Sequence, residues 1–177
     1  MDKRIKVLIS EEEITAKISE MGALISSDYR GRPLKVICVL SGGILFTSDL
    51  VRKLDLDLKI DFIHASSYGS DTKSSGIVKI THDIKMAVTG EHVLLVEDIV
   101  DSGNSLSRLK RHLLEQKPES LKVCTLLDKP GRREIEGISP DYVGFTIPNE
   151  FVIGYGLDYN QRYRQLPYIG ILPEELI

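Results

Sequence analysis

Two carboxylates stand side by side directly after a short apolar run near the middle of the chain. Glu97 and Asp98 follow residues 93–96, whose length and continuous apolar character predict a central strand of a parallel sheet. Ligands of open α/β sheets bind at the carboxyl ends of the strands. Carboxylates there can bind either ribose hydroxyl groups or a magnesium ion. The pair therefore predicts a sugar site, a magnesium site or both.

A turn of small polar residues follows these carboxylates and precedes a helix. The backbone N–H groups of such a turn can form a concave anion site at the helix start, and phosphate is the expected anion. Leu106, Leu109 and Leu113 give the helix one apolar stripe. For the carboxylates taken alone, the alternative is a solvated acidic loop; for the polar turn taken alone, it is an ordinary helix cap. The turn consists of Ser102, Gly103, Asn104 and Ser105.

Composition and charge argue against several classes of function. The 177 residues, 42% of them hydrophobic, suffice for one domain with a sizeable core. The net charge of −3 without a basic block argues against a nucleic-acid partner. No run reaches membrane-spanning length, and no signal peptide is evident. Cys38 and Cys124 lie in apolar runs, which predicts reduced buried thiols. We therefore expect a cytoplasmic protein with no membrane partner.

Alternating strand and helix patterns predict an α/β fold with a parallel sheet flanked by helices. The first helix opens with a capping box, Ser10 and Glu13, and a second extends to about Lys53. The polar stretch 66–76 has no hydrophobic period, which is typical of a long lid loop. Strands are predicted at residues 36–40, 59–65, 77–80, 93–96, 121–127 and 142–147.

The segment VEDIVDSGNSL, residues 96–106, resembles the phosphoribosyl-diphosphate (PRPP) signature of type I phosphoribosyltransferases. It is most similar to the hypoxanthine-guanine enzymes, and the resemblance covers nearly the whole chain in four motifs. The family reaction is displacement of pyrophosphate from carbon 1 of PRPP by a purine nitrogen, with Mg²⁺ as cofactor. The resemblance implies a single Rossmann-like domain: a core at about 34–147, a small hood from 1–10 and 148–177, and a mobile lid at 66–76.

By this resemblance, the acids of the signature have separate roles. Glu97 and Asp98 would bind the ribose hydroxyl groups and magnesium, and residues 102–105 would bind the 5-phosphate. Asp101 would be the catalytic base, because a 6-oxopurine must lose a ring proton as it attacks. Family members that act on orotate, uracil or adenine usually carry a small apolar residue at this position.

The same resemblance assigns a pyrophosphate site to three further parts of the chain. Ser41 and Gly42 would hold pyrophosphate through their backbone, after a cis peptide bond between Leu40 and Ser41. Many relatives have lysine or arginine in place of Ser41, so backbone contacts must dominate here. Arg164 would pair with pyrophosphate oxygens through its planar fork. In the lid, Ser67 and Tyr68 would close over the site and exclude water.

The purine site is implied by residues from two turns. Lys129 would donate to the 6-oxo group, because an ammonium has donors and no acceptor; an exposed turn lysine is the simpler alternative. Arg133, in the same turn as Lys129, is a weaker candidate for a site residue. Phe151 would stack on the purine, and Val152 would contact the base edge through its backbone. Asp158 would belong to the purine site as well, and would ligate a second magnesium ion on the pyrophosphate side.

These roles predict an enzyme of purine salvage. It would use hypoxanthine and guanine, produce inosine or guanosine monophosphate and pyrophosphate, and act as a homodimer or homotetramer. Two alternatives remain at this point: a non-catalytic PRPP-sensing regulator, and a phosphoribosyltransferase for xanthine or a pyrimidine. The residues do not decide between hypoxanthine and guanine.

Overall fold

A six-stranded sheet organises most of the chain. The structure is a computed structural model that describes residues 4–67 and 78–176. Its strands and α-helices, in chain order, are β1 Lys6–Ile9, α1 Glu11–Asp28, β2 Leu34–Leu40, α2 Ile44–Val51, β3 Leu58–Ser67, β4 Val78–His82, β5 His92–Val100, α3 Asn104–Glu115, β6 Ser120–Asp128, β7 Tyr142–Thr146, β8 Val152–Ile153 and β9 Ile169–Ile171.

The strand order of this sheet is β4-β3-β2-β5-β6-β7. Neighbours from β3 to β7 pair in parallel, which confirms the predicted parallel sheet. The exception is β4, which pairs antiparallel with β3; the sequence predicted a strand here but not its direction. Because β4 is an edge strand whose apolar and polar residues alternate, it can return antiparallel without burying both faces.

Strand β5 is longer than the sequence predicted. It continues past the apolar run to Val100, since β6 offers backbone partners as far as Asp128, and Glu97 lies opposite Thr125 in the ladder. The expectation that Glu97 and Asp98 follow the strand was therefore wrong: both lie within it. Parallel pairing thus fixes the backbone that carries the two carboxylates.

Helices cover both faces of the sheet. On one face, α1 buries an apolar stripe against β2, β5, β6 and α2; on the other, α3 buries its three predicted leucines. The predicted capping box begins α1, because Ser10 Oγ accepts from Glu13 N at 3.2 Å and Glu13 Oε2 accepts from Ser10 N at 2.8 Å. Among the described residues, no helix has the length and apolar character needed to cross a membrane.

A second sheet of three strands joins the two ends of the chain, in the order β1-β9-β8. All its pairs are antiparallel. A separate small core supports it, made of Ile5, Ile153, Leu166 and Leu172. This sheet contains parts of both segments expected in the hood, while the exact division into core and hood stays a prediction.

Candidate active site

The turn after β2 packs directly against a carboxylate of β5. The peptide bond between Leu40 and Ser41 is cis, as the resemblance implies. A Cβ atom at Gly42 would overlap Asp98 Oδ2, so only glycine fits this close approach. The structure therefore places the backbone predicted to hold pyrophosphate beside a carboxylate predicted to hold ribose.

Glu97 and Asp98 form a pair of acids in which Glu97 is buried and Asp98 is half-buried. Glu97 is only 8% exposed, and its Oε2 has no hydrogen-bond partner within the described residues. Burial, together with the neighbouring charge of Asp98, raises the pKa of Glu97 well above its ordinary value. Burial also raises the pKa of Asp98 to about 6, although the backbone N–H groups of Ile99 and Asp98 itself oppose this. Because an unpaired buried carboxylate is costly, the pair suits a cation or a hydroxyl donor.

The polar turn after β5 opens α3 around a cavity of about 210 Å³. Gly103 has φ +86°, a left-handed conformation that glycine adopts without strain. No acidic side chain occupies the first turn of α3, so its N–H groups face no competing carboxylate there. The cavity brings together six predicted site residues: Glu97, Asp98, Asp101, Ser102, Gly103 and Ser105.

Asn104 is the predicted turn residue that does not line this cavity. Its Nδ2 donates to Ser102 Oγ at 3.1 Å and to Glu134 Oε2 at 2.7 Å. The side chain therefore braces the turn against a neighbouring loop, and only its backbone remains for an anion.

Asp101 lies between two cations. Its Oδ1 accepts from Arg132 Nε at 3.1 Å, and its Oδ2 lies 3.5 Å from Lys129 Nζ. Lys129 is 6% exposed and also donates to the Glu150 carbonyl at 2.8 Å. The alternative of an exposed turn lysine is therefore wrong. An acid and a fixed ammonium group can together take a proton and donate one hydrogen bond to the same ligand.

A C-terminal loop meets the turn after β2 from the other side. A Cβ atom at Gly156, where φ is +102°, would overlap the Gly42 carbonyl oxygen. Arg164 Nη1 donates to the Gly156 carbonyl at 2.6 Å, and Arg164 Nη2 lies 2.8 Å from Asp158 Oδ1. Arg164 and Asp158 thus lie together near Gly42, and both affect the pKa of Asp98, the arginine lowering it and the aspartate raising it.

The described residues contain no group of three or more acidic, histidine or cysteine side chains that could hold a metal by themselves. Glu97 and Asp98 still fit a magnesium ion that brings further oxygen ligands from its substrate, since Mg²⁺ commonly binds through one or two carboxylates plus phosphate oxygens. Asp158 already pairs with Arg164, so a metal there would have to share its carboxylate.

Phe151 and Val152 lie at the start of β8. Phe151 is 42% exposed, and its ring packs edge-to-face on Tyr159, with 5.7 Å between centroids. An exposed aromatic face can stack on a flat ligand. The Val152 side chain is buried, so only its backbone can reach a ligand.

The structure describes no side chain for either of the two predicted lid residues. Ser67 is the last residue of β3, and its side chain is not described. Tyr68 lies outside the described residues. Their roles stay predictions.

Two residues that contact the site were not singled out in the sequence: Arg132, which contacts Asp101, and Glu134, which contacts Asn104. The only signal is the charged run that follows Lys129, residues 132–134. Its partners lie about 30 residues earlier in the chain, a separation that no local spacing rule spans.

Comparison with known proteins gives consistent matches. The family described as "Phosphoribosyl transferase domain" matches residues 9–160. The chain is 49% identical to the hypoxanthine-guanine phosphoribosyltransferase of Lactococcus lactis, over 99% of this chain and 96% of that protein. It is similar to a crystal structure of a hypoxanthine-guanine phosphoribosyltransferase from Bacillus anthracis with a HEPES molecule in the active site, with a TM-score of 0.91 and 47% identity, covering 96% of this chain and 100% of that one.

A further relative is much longer than this chain. The "Bifunctional protein TilS/HprT" of Listeria monocytogenes is 52% identical over 97% of this chain. The chain spans only 26% of the length of that relative.

Proposed function

Since the chain belongs to the phosphoribosyltransferase family, among the hypoxanthine-guanine enzymes, we propose that it transfers the 5-phosphoribosyl group of PRPP to hypoxanthine and guanine. The products are inosine or guanosine monophosphate and pyrophosphate, a reaction of purine salvage. The observation that carries the proposal is the position of Asp101, which lines the cavity of the phosphate turn and lies 3.5 Å from the buried ammonium of Lys129.

PRPP binds along the carboxyl end of β5. Its 5-phosphate accepts from the backbone N–H groups of residues 102–105, where the start of α3 adds a partial positive charge. Its ribose hydroxyl groups donate to Glu97 and Asp98. Oε2 of Glu97, which has no partner in the described part of the chain, supports this assignment, because a hydroxyl donor would satisfy a buried acceptor.

PRPP is the substrate that would bring a magnesium ion to this site. Glu97 and Asp98 are the residues that would hold it through the ribose side, and Asp158 is a second candidate near the pyrophosphate. When bound, the ion neutralises charge on the leaving group. The raised pKa values of Glu97 and Asp98 support this, because two neighbouring acids without a cation repel each other.

The purine lies between Asp101, Lys129 and the Phe151 ring. Asp101 accepts the N7 proton while N9 forms the bond to carbon 1 of the ribose, so the attacking purine does not carry a positive charge. Lys129 donates to the 6-oxo group, and Phe151 stacks on the ring. Because an ammonium cannot accept from an amino group, adenine loses this contact.

Pyrophosphate leaves toward the turn after β2. The backbone of Ser41 and Gly42 holds its oxygens, and Arg164 supplies a planar pair of donors. The lid, expected at residues 66–76, would exclude water from the ribosyl cation.

Two further assignments accompany the enzyme. We place it in the cytoplasm, and the free buried thiols of Cys38 and Cys124 suit a reducing compartment. We also propose a homodimer or homotetramer, which is supported by Ile60 and Phe62, exposed apolar side chains two residues apart on β3.

Steady-state kinetics with hypoxanthine, guanine, xanthine and adenine, at saturating PRPP and magnesium, test the base assignment. We expect turnover with hypoxanthine and guanine, and a kcat/KM for adenine at least about a hundredfold lower, as sites built around a substrate hydrogen bond give. Dominant turnover of adenine would contradict the roles of Asp101 and Lys129, and dominant turnover of xanthine would contradict the proposed substrates.

A further inference from the structure

The guanidinium of Arg133 holds four acceptors on three parts of the chain. Its Nε donates to the Ile138 carbonyl at 3.1 Å. Its Nη1 donates to the carbonyl of Val100 at 2.9 Å and to that of Asp101. Its Nη2 pairs with the carboxylate of Asp128. The arginine side chain is only 15% exposed, so these contacts form largely out of water, where hydrogen bonds are stronger.

Arg133 lies in the turn after β6, and two of its acceptors lie at the end of β5 and in the turn that follows it. Further contacts join these two segments. Lys129 N donates to the Val100 carbonyl at 3.0 Å, and Glu134 N donates to the Ser102 carbonyl at 2.9 Å. A Cβ atom at Gly103 would lie 3.4 Å from Arg133 Cδ, so the arginine stem lies against the start of α3. The segment that carries the 6-oxo donor is therefore bound to the segment that carries the base and the phosphate turn.

We infer that Arg133 is a positioning residue for the proposed reaction: by holding the Val100 and Asp101 carbonyl oxygens, it fixes the Asp101 carboxylate relative to the purine and to the phosphate turn. Arg133 itself does not touch the substrate in this account. The inference rests on the proposed function, because Asp101 must be the base for its position to affect turnover.

The contacts require an arginine rather than any cation. Guanidinium is planar and presents five donors in a fixed fork, whereas a lysine ammonium is a compact point charge on a flexible stem. Lysine at this position could keep the charge pair with Asp128 but could not reach all the carbonyl oxygens at once. Arg133→Lys therefore removes the fork while keeping the charge, which separates positioning from simple neutralisation of a buried aspartate.

A double-mutant cycle with Asp101 tests the inference. We expect Arg133→Lys to lower the single-turnover rate constant about tenfold or more in the wild-type background, since small displacements of a catalytic group cost this much or more. In the Asp101→Asn background the same change should cost less than twofold, because no base remains to be positioned. A purely structural role would cost the same factor in both backgrounds.

Arg108→Lys is the matched control, since Arg108 is an exposed arginine on α3. The single-turnover rate constant of this variant should equal that of the wild type. If Arg133→Lys does not fold, the variant with both Arg133→Gln and Asp128→Asn replaces it, because it leaves no unpaired buried charge. Equal losses in both backgrounds, or no loss in either, would overturn the inference alone. Absence of turnover in the wild type would overturn the proposed function, and the inference with it.

Discussion

The Asp101 carboxylate lies 3.5 Å from the Lys129 ammonium, although 27 other residues separate them in the chain. Parallel pairing of β5 with β6 produces this contact, because Val100 lies opposite Asp128 at the carboxyl ends of the two strands. The proposed base and the proposed 6-oxo donor are thus placed by the same ladder. In the proposed reaction, recognition of the purine and removal of its proton therefore both depend on the pairing of β5 with β6.

Replacing Asp101 with asparagine should lower kcat with little effect on PRPP binding. The amide keeps the shape of the carboxylate but cannot accept the N7 proton, and a positioned base contributes about 10²–10⁴-fold. Steady-state kinetics with hypoxanthine and titration calorimetry with PRPP and magnesium measure the two effects. Unchanged kcat would remove Asp101 from the mechanism.

Replacing Lys129 with methionine should weaken discrimination against adenine. The variant loses a charged donor, worth about 1.5–3 kcal/mol, which corresponds to roughly 10–100-fold in kcat/KM for hypoxanthine. The adenine value should change much less, because adenine never used the donor. Competition between the two bases for limiting PRPP measures the ratio, and an unchanged ratio would contradict the assignment.

Replacing Gly42 with alanine should raise the KM for PRPP by about tenfold or more, since misplaced contacts of this kind are costly. The new Cβ atom would overlap Asp98, so either the turn or the carboxylate must move. Gly131→Ala is a matched control, because no described residue other than its two chain neighbours comes within 4 Å of a Cβ there. Equal KM values for the two variants would show that the approach of Gly42 to Asp98 does not matter for binding.

Replacing Asp61 with asparagine should destabilise the fold by about 1–3 kcal/mol at neutral pH, since charge-assisted hydrogen bonds are lost. Asp61 Oδ2 accepts from the backbone N–H groups of Lys85 and Met86, each at 2.7 Å. Burial raises the pKa of Asp61, but these donors and the N–H of Phe62 outweigh it, so the pKa lies below its ordinary value.

The sign of the pH dependence follows from that lowered pKa. The stabilisation by ionised Asp61 is complete above the ordinary carboxyl pKa and is lost as the pH falls through the lowered one. Urea unfolding of both proteins across this range measures the difference, which should shrink toward acid pH. A constant difference would show that the charge of Asp61 does not stabilise the fold.

Much of the sheet could be predicted from local pattern, because a short continuous apolar run such as residues 93–96 is typical of a strand buried on both faces. The end of β5 could not, since its extension to Val100 depends on backbone partners supplied by β6. The direction of β4 could not either, because apolar and polar residues alternate in the same way in edge strands of both kinds.

Most residues of the candidate site were named from the sequence, Arg132 and Glu134 excepted, but the contacts among them were not. The spacing of Lys129 gives no sign that it is buried and bound to the Glu150 carbonyl, because that contact depends on where the chain returns after β7. The guanidinium of Arg133 likewise finds acceptors on three other segments. Such contacts are set by tertiary structure, which local periodicity does not encode.

The most direct test of the account is the formation of inosine monophosphate from hypoxanthine and PRPP by the purified chain with magnesium. We predict one pyrophosphate released per nucleotide formed, only when hypoxanthine and PRPP are both present, and loss of this activity in Asp101→Asn. PRPP binding without any nucleotide formation, as a sensing regulator would show, would contradict the account.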